Sequence, residues 1–304
     1  MVKDKKVLVT GGTGFLGKRL QMKQSDWIYM SSEDCNLTNP TMVRDMIGDI
    51  KPDAIVHLAA RVGGIKDNVE SQADFYYLNT MMNTNIIHQA HLHGVERILS
   101  SLSTCAFPDT IENFPYSETD FFRGPPTKTN FSYGMTKRML HVSSTAYRNQ
   151  YGRNYSTFCP SNIYGPNDHF NKESSHFVPA LIHKVAIAKD NSDIILWGTG
   201  LPLRQQLYVD DLCDIIPILL NKHNSDKPLI VAPNQNLSIL DMAKTVVTQS
   251  GKKITISFNG KLDGQFRKDG SNEELFRVIG PYNFTKFEDG ARKTYNWYLE
   301  KLNE

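Results

Sequence analysis

The sequence predicts an α/β protein with a doubly wound parallel sheet and a smaller α/β lobe in its C-terminal part. Three observations support this prediction. Short apolar, strand-like runs alternate with stretches of helical periodicity, and glycines directly follow the first of these runs. After Gly165 the regular alternation of strands and helices ends. Strand-like runs separated by helix-like stretches indicate right-handed βαβ units, whose strands are parallel.

The first half of the chain supplies these elements in alternation. Strand-like runs lie at residues 6–10, 27–30, 53–60, 97–102 and 155–160. One helical stretch begins at about Phe15, and two longer ones cover about residues 71–93 and 132–151. We see no internal repeat or low-complexity segment.

Loops rich in Asn, Pro and Gly separate shorter elements from residue 165 onward. This change predicts a lobe over the carboxyl edge of the sheet, where open α/β sheets bind ligands. We therefore predict a nucleotide-binding domain at 1–164 with a return segment at about 203–225. Residues 165–202 and 226–304 would form the substrate lobe.

Composition narrows the function classes. The 34 basic and 32 acidic residues are spread along the chain of 304 residues, so nucleic acid is not an expected partner. The N-terminal apolar run is too short for a signal peptide, and no apolar stretch has transmembrane length. A cytoplasmic protein without membrane contact is therefore expected. The four cysteines form no Cys-x-x-Cys pair, which argues against a disulfide framework or a zinc knuckle.

The first strand runs directly into a glycine-rich turn and then a helix. Its residues are Gly11, Gly12, Thr13, Gly14, Phe15, Leu16 and Gly17. Glycine lets the backbone turn tightly and approach a pyrophosphate, and the helix directs its N-terminal amides at that anion. This strand–turn–helix pattern predicts a Rossmann-type dinucleotide site.

The identity of the dinucleotide depends on the end of the second strand. An acidic residue there usually binds the ribose hydroxyls of NAD, and a basic residue accommodates the 2′-phosphate of NADP. This chain has Ser31, Ser32, Glu33 and Asp34. Hydroxyls can bind a phosphate, whereas an inward Glu33 would repel it. Glu33 and Asp34 could equally solvate a loop, with Asn36 and Leu37 passing under the adenine. We predict NADP and leave NAD open.

Ser103, Tyr133 and Lys137 form a candidate reductase centre. Ser103 ends a strand, and Tyr133 and Lys137 share one helix face four residues apart. Reducing a ketone requires a proton donor at its oxygen, and a lysine ammonium would lower the pKa of a neighbouring tyrosine. Ser103 would orient the carbonyl through a second hydrogen bond.

These motifs together resemble the extended short-chain dehydrogenase/reductase superfamily, and within it the GDP-L-fucose synthases. The similar segments are 57–65, 73–79 with 85–88, 103–108, 124–126, 175–181, 197–200, Arg204 and 263–264. The resemblance runs from Val7 to about Lys268. It implies cofactor contacts beyond the glycine turn at Ala59, Ala60, Ser101, Leu102, Thr104, Pro160, Ser161, Asn162 and Ile163, with Asn162 near the nicotinamide.

The resemblance also implies two reactions in one site. GDP-4-keto-6-deoxy-mannose is epimerised at C3 and C5, and its C4 ketone is then reduced by NADPH. Cys105 is implied to be the base and His176 the acid, and both side chains titrate in a range that suits this exchange. Taken alone, Cys105 would be read as a small buried cysteine and His176 as a surface or core histidine. A thiol hydrolase pair would leave the glycine turn and Tyr133 without a role.

The same resemblance indicates how a GDP-sugar is held. It implies that Lys184 and Arg204 bind the pyrophosphate, and the arginine fork suits two phosphate oxygens. Trp197 could pack on the ligand or be a core anchor, and Asp263 could accept hydrogen bonds from a hydroxyl. No metal site is expected, because His93 points away from the face that His88 and His91 share.

Two other readings stay open from the sequence. The chain could be another sugar-nucleotide epimerase or reductase of the same fold, for example one that makes a dideoxy product. It could also be a dinucleotide sensor without catalysis, although such proteins usually lose the Tyr or the Lys. By analogy with the superfamily, the helices at 71–93 and 132–151 would form a homodimer interface.

Overall fold

The structure is a computed structural model that describes residues 5–170, 175–261, 263 and 265–304. Its main sheet has six strands in the order β2-β1-β3-β4-β5-β9, and all neighbours are parallel. These strands are β1 (Val7–Thr10), β2 (Ile28–Met30), β3 (Ala54–His57), β4 (Arg97–Ser101), β5 (Asn154–Pro160) and β9 (Leu229–Val231). The direction of winding reverses between β1 and β3, which is where such sheets bind ligands. The predicted fold class is confirmed.

Helices cover both faces of this sheet. They are α1 (Phe15–Lys23), α2 (Pro40–Ile50), α3 (Ile65–Glu70), α4 (Gln72–Leu92), α5 (Phe131–Tyr151), α7 (Val209–Lys222) and α9 (Glu273–Ile279). Apolar side chains of α2, α4 and α5 pack on one face, and those of α1, α7 and α9 on the other. Strands β1, β3 and β4 are buried along their whole length because each face is covered.

Local sequence accounts for the ends of the helices. The side chain of Asn39 accepts hydrogen bonds from the amides of Thr41 and Met42 and so caps α2, whose first residue is Pro40. Helix α5 ends at Gly152, which has a φ of 67°. That left-handed conformation is one that glycine adopts without a steric penalty.

A second set of elements packs beside the carboxyl edge of the main sheet. It contains α6 (Phe177–Ile187), α8 (Ile239–Ser250), α10 (Phe287–Leu302) and the strands β6 (Asn162–Tyr164), β7 (Ser192–Leu196), β8 (Leu203–Tyr208), β10 (Asn236–Ser238), β11 (Ile254–Phe258) and β12 (Arg267–Lys268). Strand β8 pairs with β6, β10 and β12, and β7 pairs with β11. These helices share one apolar core around Leu181, Met242 and Tyr295.

The predicted domain division stays a prediction. Within the predicted return segment, α7 packs against α1 on the main sheet, whereas β8 belongs to the second set of strands. Strand β9 joins the main sheet at Leu229–Val231, a few residues after that segment. Among the described residues, no helix is long and apolar enough to cross a bilayer.

Candidate active site

The residues predicted to bind the cofactor follow neighbouring strands of the main sheet. They lie at or after the carboxyl ends of β1 (Gly11–Gly17), β2 (Ser31, Ser32, Asn36, Leu37), β3 (Ala59, Ala60), β4 (Ser101, Leu102, Thr104) and β5 (Pro160, Ser161, Asn162, Ile163). Because these strands are parallel and adjacent, their carboxyl ends meet at one edge of the sheet. The fold therefore gathers residues that are separated by up to about 150 positions in sequence.

The glycine turn has the close contacts that a pyrophosphate cradle requires. Gly11 has a φ of 77°, and a Cβ there would lie 2.9 Å from the amide nitrogen of Ala59. A Cβ at Gly17 would collide with the carbonyl oxygen of Gly11. Helix α1 begins after Gly14, and no side chain caps its first amides. This backbone fits a bound dinucleotide.

Hydrogen bonds to Asp34 stabilise the loop after β2. Its carboxylate accepts hydrogen bonds from the Ser31 amide at 2.8 Å and the Ser31 hydroxyl at 2.6 Å. These bonds lower the pKa of Asp34, so it is anionic near neutrality. Ser32 and Glu33 beside them are exposed. Asp34 therefore orders the loop, as one of the two sequence readings expected.

The structure brings Ser103, Tyr133 and Lys137 close together. Ser103 precedes a short turn at Thr104–Ala106, and its hydroxyl accepts a hydrogen bond from the Cys105 amide at 3.2 Å. Ser103 also hydrogen-bonds Tyr133, whose ring centroid lies 5.9 Å from the Lys137 ammonium. Tyr133 and Lys137 are both buried. The three side chains thus converge between β4 and α5.

The acidity of Tyr133 differs from the expectation. Burial raises the pKa of this phenol, the nearby Cys105 raises it further, and the bond to Ser103 opposes both. The Lys137 ammonium instead donates to the carbonyl oxygen of Ser101 at 2.8 Å, and burial lowers its own pKa to about 8. Tyr133 is therefore held as the neutral phenol, the form that can donate a proton.

Cys105 lies two residues beyond Ser103, on the same turn, and is half-buried. Helix α5 approaches this turn closely because of Gly134, where a Cβ would collide with the Cys105 carbonyl oxygen. Arg138 on the next turn of α5 donates to the Ala106 carbonyl at 2.6 Å. Gly134 and Arg138 were not singled out from the sequence, although both lie beside the Tyr-x-x-x-Lys motif.

His176 immediately precedes α6 and its side chain is exposed; partial desolvation by the surrounding atoms lowers the pKa of its imidazole. Lys268 on β12 lowers it further, as does His169. The Lys268 ammonium also lies 3.8 Å from the Cys105 sulfur. Lys268 therefore lies beside Cys105 and acts electrostatically on His176, the two members of the predicted epimerising pair.

The four predicted substrate residues line one cavity of about 250 Å³. Lys184 comes from α6, Trp197 follows β7, Arg204 lies in β8 and Asp263 precedes β12. A cavity with two cationic side chains, an exposed aromatic ring and a carboxylate suits a charged, partly planar ligand such as a nucleotide.

Three of these side chains already have partners. Trp197 is 64% exposed and lies under the Lys261 ammonium at 4.6 Å, so it is not a core anchor. Asp263 accepts hydrogen bonds from the Thr199 amide and hydroxyl, which lower its pKa. Arg204 donates to the carbonyls of Leu203 and Gln265. These bonds hold the polar groups in place around the cavity.

No individual role was assigned to His57 or Asp168 from the sequence. His57 at the end of β3 hydrogen-bonds Thr10 at 2.7 Å and Asn83 at 3.0 Å, and burial lowers its pKa to about 4. A histidine within an apolar strand was the available signal. Asp168 lies in the loop after β6, and burial raises the pKa of its carboxyl to about 7.

The histidines at the end of α4 have separate partners. His88 hydrogen-bonds the Tyr147 hydroxyl, His91 accepts from Arg153, and His93 bonds the Gln89 carbonyl. Within the described residues, no three His, Cys, Asp or Glu side chains are grouped as a metal site.

Comparisons with known proteins cover nearly the whole chain. Residues 7–232 match the NAD dependent epimerase/dehydratase family. GDP-L-fucose synthase of Dictyostelium discoideum is 36% identical over 97% of this chain and 95% of its own length. GDP-L-fucose synthase 1 of Arabidopsis thaliana is 32% identical over 99% and 95%. A GDP-L-fucose synthetase from Naegleria fowleri bound to NADP superposes with a TM-score of 0.91 at 30% identity, over 100% of this chain and 96% of that one.

Proposed function

We propose that this chain, which belongs to the NAD dependent epimerase/dehydratase family and within it to the GDP-L-fucose synthases, converts GDP-4-keto-6-deoxy-D-mannose to GDP-L-fucose. The observation that carries the proposal is the turn Ser103–Cys105 packed against Tyr133. It brings a candidate carbon base and a candidate proton donor for a ketone to one place. A single bound sugar could therefore undergo both reactions without leaving the site.

In the epimerisation the C4 ketone makes the neighbouring C–H bonds acidic. Ser103 and Tyr133 would hydrogen-bond the ketone oxygen, where negative charge develops when a proton leaves C3 or C5. The Cys105 thiolate removes that proton and becomes a thiol, and the electron pair moves to the C4 oxygen. His176 returns a proton to the opposite face of the carbon. The electron pair returns from the C4 oxygen as the new C–H bond forms. Proton exchange with solvent then restores the Cys105 thiolate and the protonated His176, and the same exchange at the second carbon completes the double epimerisation.

In the reduction NADPH supplies a hydride to C4. Tyr133 then gives its phenolic proton to the C4 oxygen, which becomes a hydroxyl. Lys137, held on the Ser101 carbonyl, provides a positive charge near the phenolate that Tyr133 leaves behind. The glycine turn from Gly11 to Gly17 would hold the pyrophosphate of the cofactor, and Asn162 would lie beside its nicotinamide.

The substrate cavity would bind the nucleotide part of the GDP-sugar. Lys184 and Arg204 would bind the pyrophosphate of GDP, Trp197 would pack on the ligand, and Asp263 would accept a hydrogen bond from a hydroxyl. This arrangement supports the predicted division into a cofactor domain and a substrate lobe. A reducing compartment such as the cytoplasm suits a catalytic thiol, and all four cysteines are free.

We expect purified protein to oxidise NADPH when GDP-4-keto-6-deoxy-D-mannose is added, and to form GDP-L-fucose. Absorbance at the nicotinamide band gives the rate, and NMR of the product gives the configuration at C3, C4 and C5. NADH run in parallel tests the cofactor preference. Absence of NADPH oxidation would favour the non-catalytic sensor, and a different sugar would favour another epimerase or reductase of the family.

We also infer a homodimer through α4 and α5, which pack against each other. Their outer surfaces carry the exposed apolar side chains Tyr76, Tyr77, Leu92, Met139, Val142 and Tyr151. Light scattering should give twice the chain mass of 34.5 kDa. Val142→Glu should shift the protein toward the monomer, because it places a charge in the buried interface. A wild-type monomer at micromolar concentration would contradict this interface.

A further inference from the structure

The backbone around Lys268 is fixed from two sides. Strand β12 pairs with β8, where Lys268 stands opposite Arg204. On its other side the Tyr116 amide donates to the Asp269 carbonyl, and the Ser271 amide donates to the Tyr116 carbonyl. Asp269 is buried and forms an ion pair with Arg267. A two-residue strand held in this way can present the Lys268 side chain in a defined position.

That side chain reaches the Cys105 turn across 163 residues of sequence, with 3.8 Å between its ammonium nitrogen and the cysteine sulfur. Three other titratable groups lie near enough to interact electrostatically with Cys105: Tyr133 on α5, Tyr116, and Cys159 on β5. Burial raises the pKa of each of the three, so they are neutral near pH 7. Of the four groups, Lys268 is the one basic residue.

We propose that Lys268 is a positioning residue that pairs with the Cys105 thiolate and thereby makes this cysteine the base of the epimerising pair. The proposal rests on the proposed function for its consequence, but the ion pair itself does not require a substrate. An opposite charge within about 4 Å favours the charged form of a group, and the effect is stronger where water is partly excluded. A thiolate beside a lysine is a recognised source of cysteine reactivity.

The same ammonium explains why the two partners differ in role. Lys268 disfavours a second positive charge, so it lowers the pKa of His176. A proton on His176 is then given up more readily, whereas a negative charge on Cys105 is stabilised. One cation therefore favours proton removal by the sulfur and proton return by the imidazole. Neither the sequence motifs nor the glycine turn indicated that Lys268 acts together with Cys105 and His176.

Alkylation of Cys105 by iodoacetamide tests the ion pair without any substrate. The thiolate displaces iodide, and mass spectrometry of the Cys105 peptide gives the rate at each pH; the other three cysteines are buried. Replacing the ammonium by a neutral chain in Lys268→Met should lower the rate at pH 7 by about tenfold and move the pH profile to higher pH. Lys268→Arg, which keeps the charge, should retain most of the rate.

The matched control is Lys244→Met, which removes an exposed lysine of α8. Cys105 of this variant should be alkylated at the wild-type rate. NADPH binding followed by fluorescence shows whether each variant is folded. If folded Lys268→Met alkylates at the wild-type rate, or if Lys268→Arg is as slow as Lys268→Met, the ion pair is wrong.

A measurement on the unchanged protein covers the case in which Lys268→Met does not fold. The pH profile of Cys105 alkylation is compared between the native chain and the same chain in denaturant. The ion pair requires the native profile to lie at lower pH, and coincident profiles would overturn it. The proposed function is tested separately by turnover. A protein with the ion pair but no epimerisation would refute the function and leave the pairing intact.

Discussion

Replacing Tyr133 by Phe should stop the reduction while epimerisation continues. Loss of a general acid typically costs 10²–10⁴-fold, so NADPH oxidation should fall by roughly that factor. Phe keeps the ring and its edge contact with Phe75, so the α5 packing is preserved. Incubation in deuterated water should still label C3 and C5 of the keto sugar, because Cys105 and His176 are unchanged. NMR of the recovered sugar and absorbance of NADPH read the two steps separately.

Tyr282→Phe is the matched control, since its hydroxyl bonds Asp211 away from the Ser103–Cys105 turn. It should retain both activities. Should Tyr133→Phe oxidise NADPH at the wild-type rate, Tyr133 would not be the proton donor. Loss of labelling together with reduction would mean that Tyr133 also holds the ketone during proton exchange in a way that Ser103 alone cannot replace.

Replacing Cys105 by Ser should stop epimerisation and spare the reductase centre. A serine hydroxyl is far less acidic than a thiol and gains little from the Lys268 ammonium, so proton removal should slow by about 10²–10⁴-fold. Ser is close to Cys in size, and the turn keeps its bond from the Cys105 backbone amide to Ser103. Deuterium uptake at C3 and C5 should therefore be lost while NADPH still binds.

Cys213→Ala serves as the comparison, because this cysteine is buried in α7 on the opposite face of the sheet from α5. The sugar incubated with Cys213→Ala should take up deuterium at the wild-type rate. Undiminished labelling of the sugar in Cys105→Ser would rule out the thiol as the base. In that event the Lys268 ammonium beside it would have no role in epimerisation.

The sequence was sufficient for the parts of the fold and site that local patterns encode. Alternating strands and helices predicted the parallel sheet, and the segment from Gly11 to Gly17 was found directly after β1. The spacing of Tyr133 and Lys137 on one helix face requires no tertiary information. Parallel strand ends meet at one edge, so Ser103 could also be expected beside them.

The remaining features depend on contacts between distant segments. Lys268 lies in a strand of two residues, which is too short to show an alternating pattern. It meets Cys105 through tertiary contacts, which include the pairing of β12 with β8. The need for glycine at position 134 comes from the close approach of α5 to the Cys105 carbonyl, a tertiary contact that the local sequence does not encode. The pKa of Tyr133 is raised rather than lowered, because burial dominates the phenol and the Lys137 ammonium is bound to the Ser101 carbonyl.

The central claim is that one site epimerises C3 and C5 and then reduces C4. The most direct test is a complete reaction of the wild-type protein in deuterated water with ordinary NADPH, followed by NMR of the product. We expect GDP-L-fucose with deuterium at C3 and C5, taken from solvent, and protium at C4. A reduced sugar that retains protium at C3 and C5 would contradict the account.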